Sequence, residues 1–401
     1  MSKQICALLL ATFVYLMLVS GGVIPYADGD AVKAGVKGGM LVIVIFLGIF
    51  NPISRSSLAL IATFLCFGLI FMCLGLLHSS NISYALEKID GALLCSVIVA
   101  LVIEKGYARY GEQEFQAAFL CCALIILIAT IAYKVQFGLF DRQVKFLLNG
   151  PIVYGWLMGF CALLSLNLWE ERRKVFWGLL LVVFICALLW TESKGAAVAF
   201  AVAAFVLLLN SLRKNLKYVL LGVLLLTVVY VLFYDQLIYL FMESRFAAVA
   251  RVLTGEVADV DDGSIGVRSL LAEHALEDFR AHPFLGIGLG EFSYDSFVYP
   301  HNQHLEIFTE LGIFAGMAHI GFVMLALFRA GRLNRAVILF FVGASAFSGD
   351  VSYLRFLYAF CLHAQFRCEA NTSNQTDLDY AASISASEEG GIYARMPKQS
   401  S

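Results

Sequence analysis

Residues 175–210 read VFWGLLLVVFICALLW-TESKG-AAVAFAVAAFVLLLN, two apolar runs on either side of a five-residue polar junction. A helix needs about 20 apolar residues to cross the hydrocarbon core of a bilayer, and these runs approach that length. They are continuous in Leu, Val, Ile, Ala and Phe, without the in-out alternation of a transmembrane barrel wall. The junction therefore reads as a tight turn between two membrane helices.

Working outward, the same pattern recurs over the chain, and about twelve spans are expected. They cover 4–24, 33–50, 56–77, 89–104, 115–134, 150–168, 175–191, 195–210, 217–234, 305–328, 336–349 and 351–367. The first could pass for a signal peptide, but its long apolar stretch and the spans that follow favour an uncleaved helix. Composition agrees: the 401 residues are 60% hydrophobic and 14% charged, with a mean hydropathy of +0.82. An all-α polytopic membrane protein is expected. The net charge of -2 excludes the broad positive field that a nucleic-acid partner requires. Of ten cysteines, all but Cys368 lie in apolar runs and read as small buried residues rather than a disulfide framework.

Orientation follows from Lys and Arg in the short loops. One set of alternating loops, with the amino terminus, holds thirteen: Lys3, Arg55, Lys105, Arg109, Arg172, Arg173, Lys174, Arg213, Lys214, Lys217, Arg329, Arg332 and Arg335. The opposite set holds five: Lys88, Lys134, Arg142, Lys145 and Lys194. Both termini are therefore expected in the cytoplasm, and the one long loop, about 235–304, outside. The expected organisation is a transmembrane domain over 1–367 and a polar, disordered cytoplasmic tail over 368–401. The Asn-x-Ser/Thr triplets at Asn81, Asn371 and Asn374 are read as chance matches. No inverted repeat of the transporter kind is evident.

The unusual residues collect on the outward side. Ionisable groups near membrane depth usually face a cavity and act there. Lys194 sits in the TESKG junction, either as a lysine snorkelling from a turn eased by Gly195 or as a cation at a cavity mouth. In VRSLLAEHALEDFRAHPFLGIGLGEF (267–292), Leu270, Leu271, Ala275, Leu276 and Phe279 recur at helical spacing until Pro283 stops the helix. Arg268 falls at the expected helix start, where the dipole disfavours a cation, so a partner anion is called for. Arg280 suits the other end of the helix.

The GIGLG run at Gly286, Gly288 and Gly290 lacks the parallel-sheet context of a dinucleotide site and reads as a turn of close backbone approach. In YPHNQHLEIFTELGIFAG (299–316), His301 and His304, followed by Glu306 and Glu310, could suggest a metal site, but no Cys or Asp completes a shell. A single histidine at a membrane entrance suits proton transfer; capping the following helix is the structural alternative for His301. Asp350 lies at the outward end of the eleventh span with Arg355 a turn later, and the plain reading is an ion pair. The acidic stretch Glu256, Asp259, Asp261 and Asp262 lacks calcium-loop spacing.

Taken together, Ser193-Lys194-Gly195, the Arg268-led helix running to Gly290 and the His301-Asn302 to Gly316 segment resemble the O-antigen ligase and polymerase superfamily. The resemblance implies a metal-independent glycosyltransferase of GT-C-like architecture that needs no cofactor. Its site would lie on the periplasmic face of the bacterial inner membrane. Such enzymes move a glycan from an undecaprenyl diphosphate carrier to lipid A-core in the ligase branch, or to another carrier-linked repeat in the polymerase branch. A third subtype, the protein O-oligosaccharyltransferases, uses protein. The resemblance implies that Arg268 grips the diphosphate with a bidentate fork. It places Lys194 where the family usually carries Arg, keeping the charge but losing the fork. It makes His301 the general base or an orienting group, with Asp350, Asn302 and His304 in support. A transporter is the competing class, but it would place its charges near mid-membrane in broken helices.

Overall fold

The computed structural model describes residues 3–20, 54–141, 144, 146–147, 149–214, 263–295 and 297–368. Among these residues every regular element is a helix. They run α1 (Lys3–Ser20), α2 (Arg55–Leu76), α3 (Ile82–Ile89), α4 (Cys95–Tyr110), α5 (Glu112–Phe137), α6 (Pro151–Arg172), α7 (Val175–Trp190), α8 (Lys194–Lys214), α9 (Gly263–Ala281), α10 (Gln303–Arg329) and α11 (Arg332–Ser345). A last helix, α12, covers 354–368. A π turn, Asp90–Leu94, joins α3 to α4 without a break. The expected span 89–104 is thus the middle of a longer rod, because Asn81 caps its start by accepting from Tyr84 N at 3.2 Å.

Among the described residues, four helical segments are long and apolar enough to cross a membrane: Ser57–Leu76, Glu112–Phe137, Pro151–Arg172 and Gln303–Arg329. Lys3–Val19, Val175–Trp190 and Lys194–Leu209 are shorter apolar helices. The expected spans at 33–50 and 217–234, the acidic stretch and the tail beyond 368 lie outside the described residues, as does the first part of the long loop, 235–262.

The centre of the bundle is α6, buried at every position from Val153 to Leu168; a helix apolar all round belongs inside. The peripheral helices turn large apolar side chains outward instead, among them Phe67 and Ile70 on α2, Ile125 and Ile128 on α5, Leu179 and Val182 on α7, and Met317 and Phe328 on α10. Such broad apolar surfaces are out of place in water and natural against lipid. The chain is a membrane protein.

The two ends of the bundle differ. At one, Arg172 pairs with Glu114 at 2.8 Å, Arg332 with Glu170 at 2.8 Å and Arg367 with Glu112 at 3.0 Å. The other is closed by hydrogen bonds to carbonyls at helix ends: Asn149 Nδ2 donates to Val19 O (2.8 Å), Trp190 Nε1 to Leu139 O (2.9 Å) and Leu289 N to Gly75 O (3.1 Å).

At this second end the glycine run docks on α10. Gly312 breaks α10 with φ 80°, and the exposed backbone is taken up by the loop: Ile287 N donates to Thr309 O (3.0 Å), Gly288 N to Glu310 O (3.1 Å) and Ile313 N to Pro283 O (2.8 Å). A Cβ on Gly286 would fall 2.3 Å from Glu310 C, and one on Gly312 2.1 Å from Phe284 O. Only glycine permits this backbone-on-backbone contact, and at these positive φ values it also avoids strain.

Candidate functional site

Two short connections and one helix converge at the end closed by these carbonyl bonds. The 191–195 turn, the segment 346–353 and α9 surround a cleft lined by Trp156, Glu192, Lys194, Arg268, Phe347 and Ser348, among others. Lys194 opens α8 and Arg268 faces it, so both expected cations reach one cavity, with the Glu192 carboxylate also on its wall. Gly195 serves less to ease the turn than to let α8 approach: a Cβ there would fall 2.5 Å from Phe347 Cβ.

Arg268 is not at a helix start. Helix α9 begins at Gly263, which puts Arg268 in the second turn, beyond the reach of most of the dipole's effect. The apolar periodicity begins only near Leu270, so the first turn, GSIGV, carried no signal. What faces Arg268 is the next connection: burial lowers its pKa, and the nearby Tyr299 hydroxyl opposes that shift.

His301 follows Tyr299 across Pro300. Its backbone is left-handed, φ 56°, an uncommon conformation for a non-glycine residue and one often found at functional sites. The ring packs between Tyr299 (centroids 4.4 Å apart) and Phe297 (5.6 Å). Nδ1 is buried with no hydrogen-bond partner in the protein. Burial lowers the imidazole pKa to about 4, the Arg268 charge pushes the same way, and Asp350 opposes. The ring is therefore neutral at neutral pH, with a lone pair or an N–H not taken by the fold.

Asp350 is held at both oxygens. Oδ1 accepts from Ser352 N (2.9 Å) and Ser352 Oγ (2.5 Å), and Oδ2 accepts from Tyr84 Oη (3.1 Å). The expected Asp350–Arg355 ion pair does not form. Arg355 instead donates to Leu18 O (2.8 Å), Val19 O (3.2 Å) and Ser352 O (2.8 Å), satisfying carbonyls that α1 leaves open at its carboxyl end.

The other two expected residues are structural. Asn302 caps α10, its Oδ1 accepting from His304 N and Leu305 N, each at 3.1 Å; the cap is Asn302, not His301. His304 turns into the bundle. Its Nδ1 lies 2.8 Å from His319 Nε2, its Nε2 3.0 Å from Val342 O, and His319 Nδ1 2.7 Å from Tyr358 Oη. Ser345 Oγ also lies 2.9 Å from His304 Nε2. The chain of contacts clasps α10, α11 and α12.

A cluster that the sequence did not announce lies beneath the site. Lys88, fully buried, donates to Glu306 Oε1 (2.6 Å) and to Glu310 Oε1 and Oε2 (2.7 and 2.8 Å). Glu310 Oε2 also accepts from Gly290 N at 2.9 Å. Glu306 and Glu310 thus act as partners of a lysine, and among the described residues no group of three His, Cys, Asp or Glu side chains is gathered as metal ligands would be. Lys88 and Lys134, counted as outward loop charges, are both buried; Lys134 donates to Asp141 O (2.6 Å) and Val144 O (3.1 Å).

Compared with known proteins, the chain matches no curated sequence. The sequence model of the O-antigen ligase family matches residues 179–320, a stretch that contains Lys194, Arg268, His301, Asn302 and His304 but neither α3 nor Asp350. That match supports membership of the chain in the O-antigen ligase and polymerase superfamily.

Proposed function

We propose that the protein is an O-antigen ligase that transfers glycan from an undecaprenyl diphosphate carrier to lipid A-core. Membership of the superfamily indicates ligase-type or polymerase-type function. The observation that carries a glycan-transfer reading is the convergence on Arg268: it shares a cleft with Lys194 and lies within electrostatic reach of His301, on which Asp350 also acts.

In this reading the acceptor hydroxyl oxygen attacks the anomeric carbon of the donor sugar and gives its proton to the unpartnered nitrogen of neutral His301. The bond from that carbon to the phosphate oxygen breaks, and the electron pair leaves with the carrier diphosphate. Arg268 and Lys194 neutralise the charge that grows there, in place of a divalent ion. Asp350 steadies the imidazolium until its proton passes to water. An apolar groove of about 330 Å³ between α2, α10 and α12, with Phe67, Phe71, Ile307, Leu311 and Phe322 on its walls, suits the lipid chain of such a donor.

The charge asymmetry of the loops supports a periplasmic site, cytoplasmic termini, 235–304 outside and 368–401 a cytoplasmic tail; the apolar runs of the sequence support about twelve spans, and the superfamily resemblance supports a GT-C-like plan in the inner membrane. A label attached to a cysteine at Gly263 should react from outside intact cells; reaction only after permeabilisation contradicts this orientation.

The function itself is tested by the lipid profile of a deletion strain. Loss of long glycan from lipid A-core, with carrier-linked polymer accumulating, supports the ligase. A single-repeat product assigns the polymerase instead, and an unchanged lipopolysaccharide with altered glycoprotein assigns transfer to protein.

A further inference from the structure

The family match leaves α3 untouched, yet α3 reaches the candidate site from below. Tyr84 and Lys88 lie one turn apart on it, so their side chains share a face. Lys88 is locked by Glu306 and Glu310 on α10. Its ammonium stands 4.7 Å from the centre of the Tyr84 ring, close enough for a cation–π contact. A Cβ on Gly290 of the loop following α9 would fall 3.1 Å from Tyr84 Cδ1, so that loop packs close to the ring, and Gly290 N is itself bound to Glu310. Both groups beside the ring are thus anchored. Its hydroxyl donates to Asp350 Oδ2 at 3.1 Å.

The consequence for Asp350 is geometric. Oδ1 is fixed by Ser352 in its own 3₁₀ turn, which sets where the carboxylate sits but leaves its plane able to swing. Tyr84 fixes the second oxygen and therefore the plane. We infer that Tyr84 is a positioning residue of the transfer reaction: it orients the Asp350 carboxylate that faces His301, while Lys88 and its two glutamates hold the tyrosine in place.

The inference rests on the role given above to Asp350, so the experiment treats the two separately. Transfer by Asp350→Asn, Tyr84→Phe and the double variant is measured with purified protein, carrier-linked glycan donor and lipid A-core acceptor. Tyr84→Phe keeps the ring and its packing, so the variant should fold, with its melting temperature lowered by no more than the loss of one hydrogen bond. The loss of orientation should lower kcat by roughly tenfold or more, with donor and acceptor KM within about twofold of wild type, because Tyr84 is not among the residues that line the cleft. In the double variant the loss should equal that of Asp350→Asn alone, since the hydroxyl then has no carboxylate to orient. Unchanged activity in Asp350→Asn overturns the role of Asp350 itself. A loss in Asp350→Asn with full activity in Tyr84→Phe overturns the inference, as do fully multiplicative losses in the double variant or a change confined to KM.

Discussion

Two charge clusters, one buried and one half-buried, flank the start of α10, and they are built to opposite ends. In the lower one Lys88 meets two carboxylates at 2.6 to 2.8 Å, and a backbone N–H from the glycine loop joins them. In the upper one Arg268 and Asp350 both act on His301 through space, and the imidazole Nδ1 is buried without a partner. A lysine closed in by carboxylates holds elements together. A histidine in a left-handed backbone, kept neutral by burial and a nearby cation, is poised to take a proton from something not part of the fold. The comparison separates charge that maintains the structure from charge available for chemistry.

Breaking the lower cluster should cost the most stability. Lys88→Met leaves two carboxylates buried and uncompensated, a loss of about 3–5 kcal/mol, read as a large drop in melting temperature in detergent. The triple variant Lys88→Met, Glu306→Gln, Glu310→Gln should recover much of it; no recovery contradicts a charge-pairing role.

The upper cluster should show the reverse pattern. Arg268→Ala should fold normally yet lose about 100- to 1000-fold in transfer, the scale set by removing one group that stabilises transition-state charge. Arg268→Lys keeps the charge without the fork and should lose most activity as well. Lys194→Arg should preserve or raise transfer, and Lys194→Glu should abolish it. Normal turnover by Arg268→Ala removes the distinction between the clusters.

A smaller effect separates His304 from His301. His319→Phe leaves the Tyr358 hydroxyl and His304 Nδ1 without partners, at about 1–3 kcal/mol each, but touches nothing in the cleft. Thermal stability should fall while kcat/KM measured below the melting transition stays near wild type. A loss of kcat at intact stability moves the histidine chain into the mechanism.

The mildest test is pH. His301, lowered to about 4 from its ordinary 6.5, stays neutral well below neutral pH. The acid limb of kcat/KM should therefore lie near pH 4, with full activity at pH 5.5. The linked stability change has the matching sign: the unfolded chain binds the proton first, so the contribution of this histidine is fully present above about pH 6.5 and is lost as pH falls toward 4. An acid limb near 6.5 contradicts the burial and charge assigned to the ring.

Much of the bundle could be read from the chain because its signals are local. Apolar run length marks the helices, Pro283 lies just beyond the end of α9, and the glycines of GIGLG announce the close backbone approach that occurs against α10. The convergence of Lys194 and Arg268 was legible as a shared side of the membrane. The lower cluster was not, because Lys88 finds Glu306 and Glu310 at sequence separations of 218 and 222 and no local pattern carries such pairing. Nearness along the chain misled for Asp350 and Arg355: the intervening 3₁₀ turn lets Ser352 bind the carboxylate, and the guanidinium finds open carbonyls of α1. The start of α9 was missed for want of apolar residues in its first turn.

The most direct measurement is transfer by purified protein, from carrier-linked donor to lipid A-core, in excess EDTA. If Arg268 and Lys194 neutralise the leaving diphosphate, the wild type turns over undiminished under chelation and Arg268→Ala yields no product above background. If chelation stops the wild type and added Mg²⁺ or Mn²⁺ restores it, the cation clamp is wrong, and the carboxylates of Glu306 and Glu310 must be tested as ligands that leave Lys88 to bind metal.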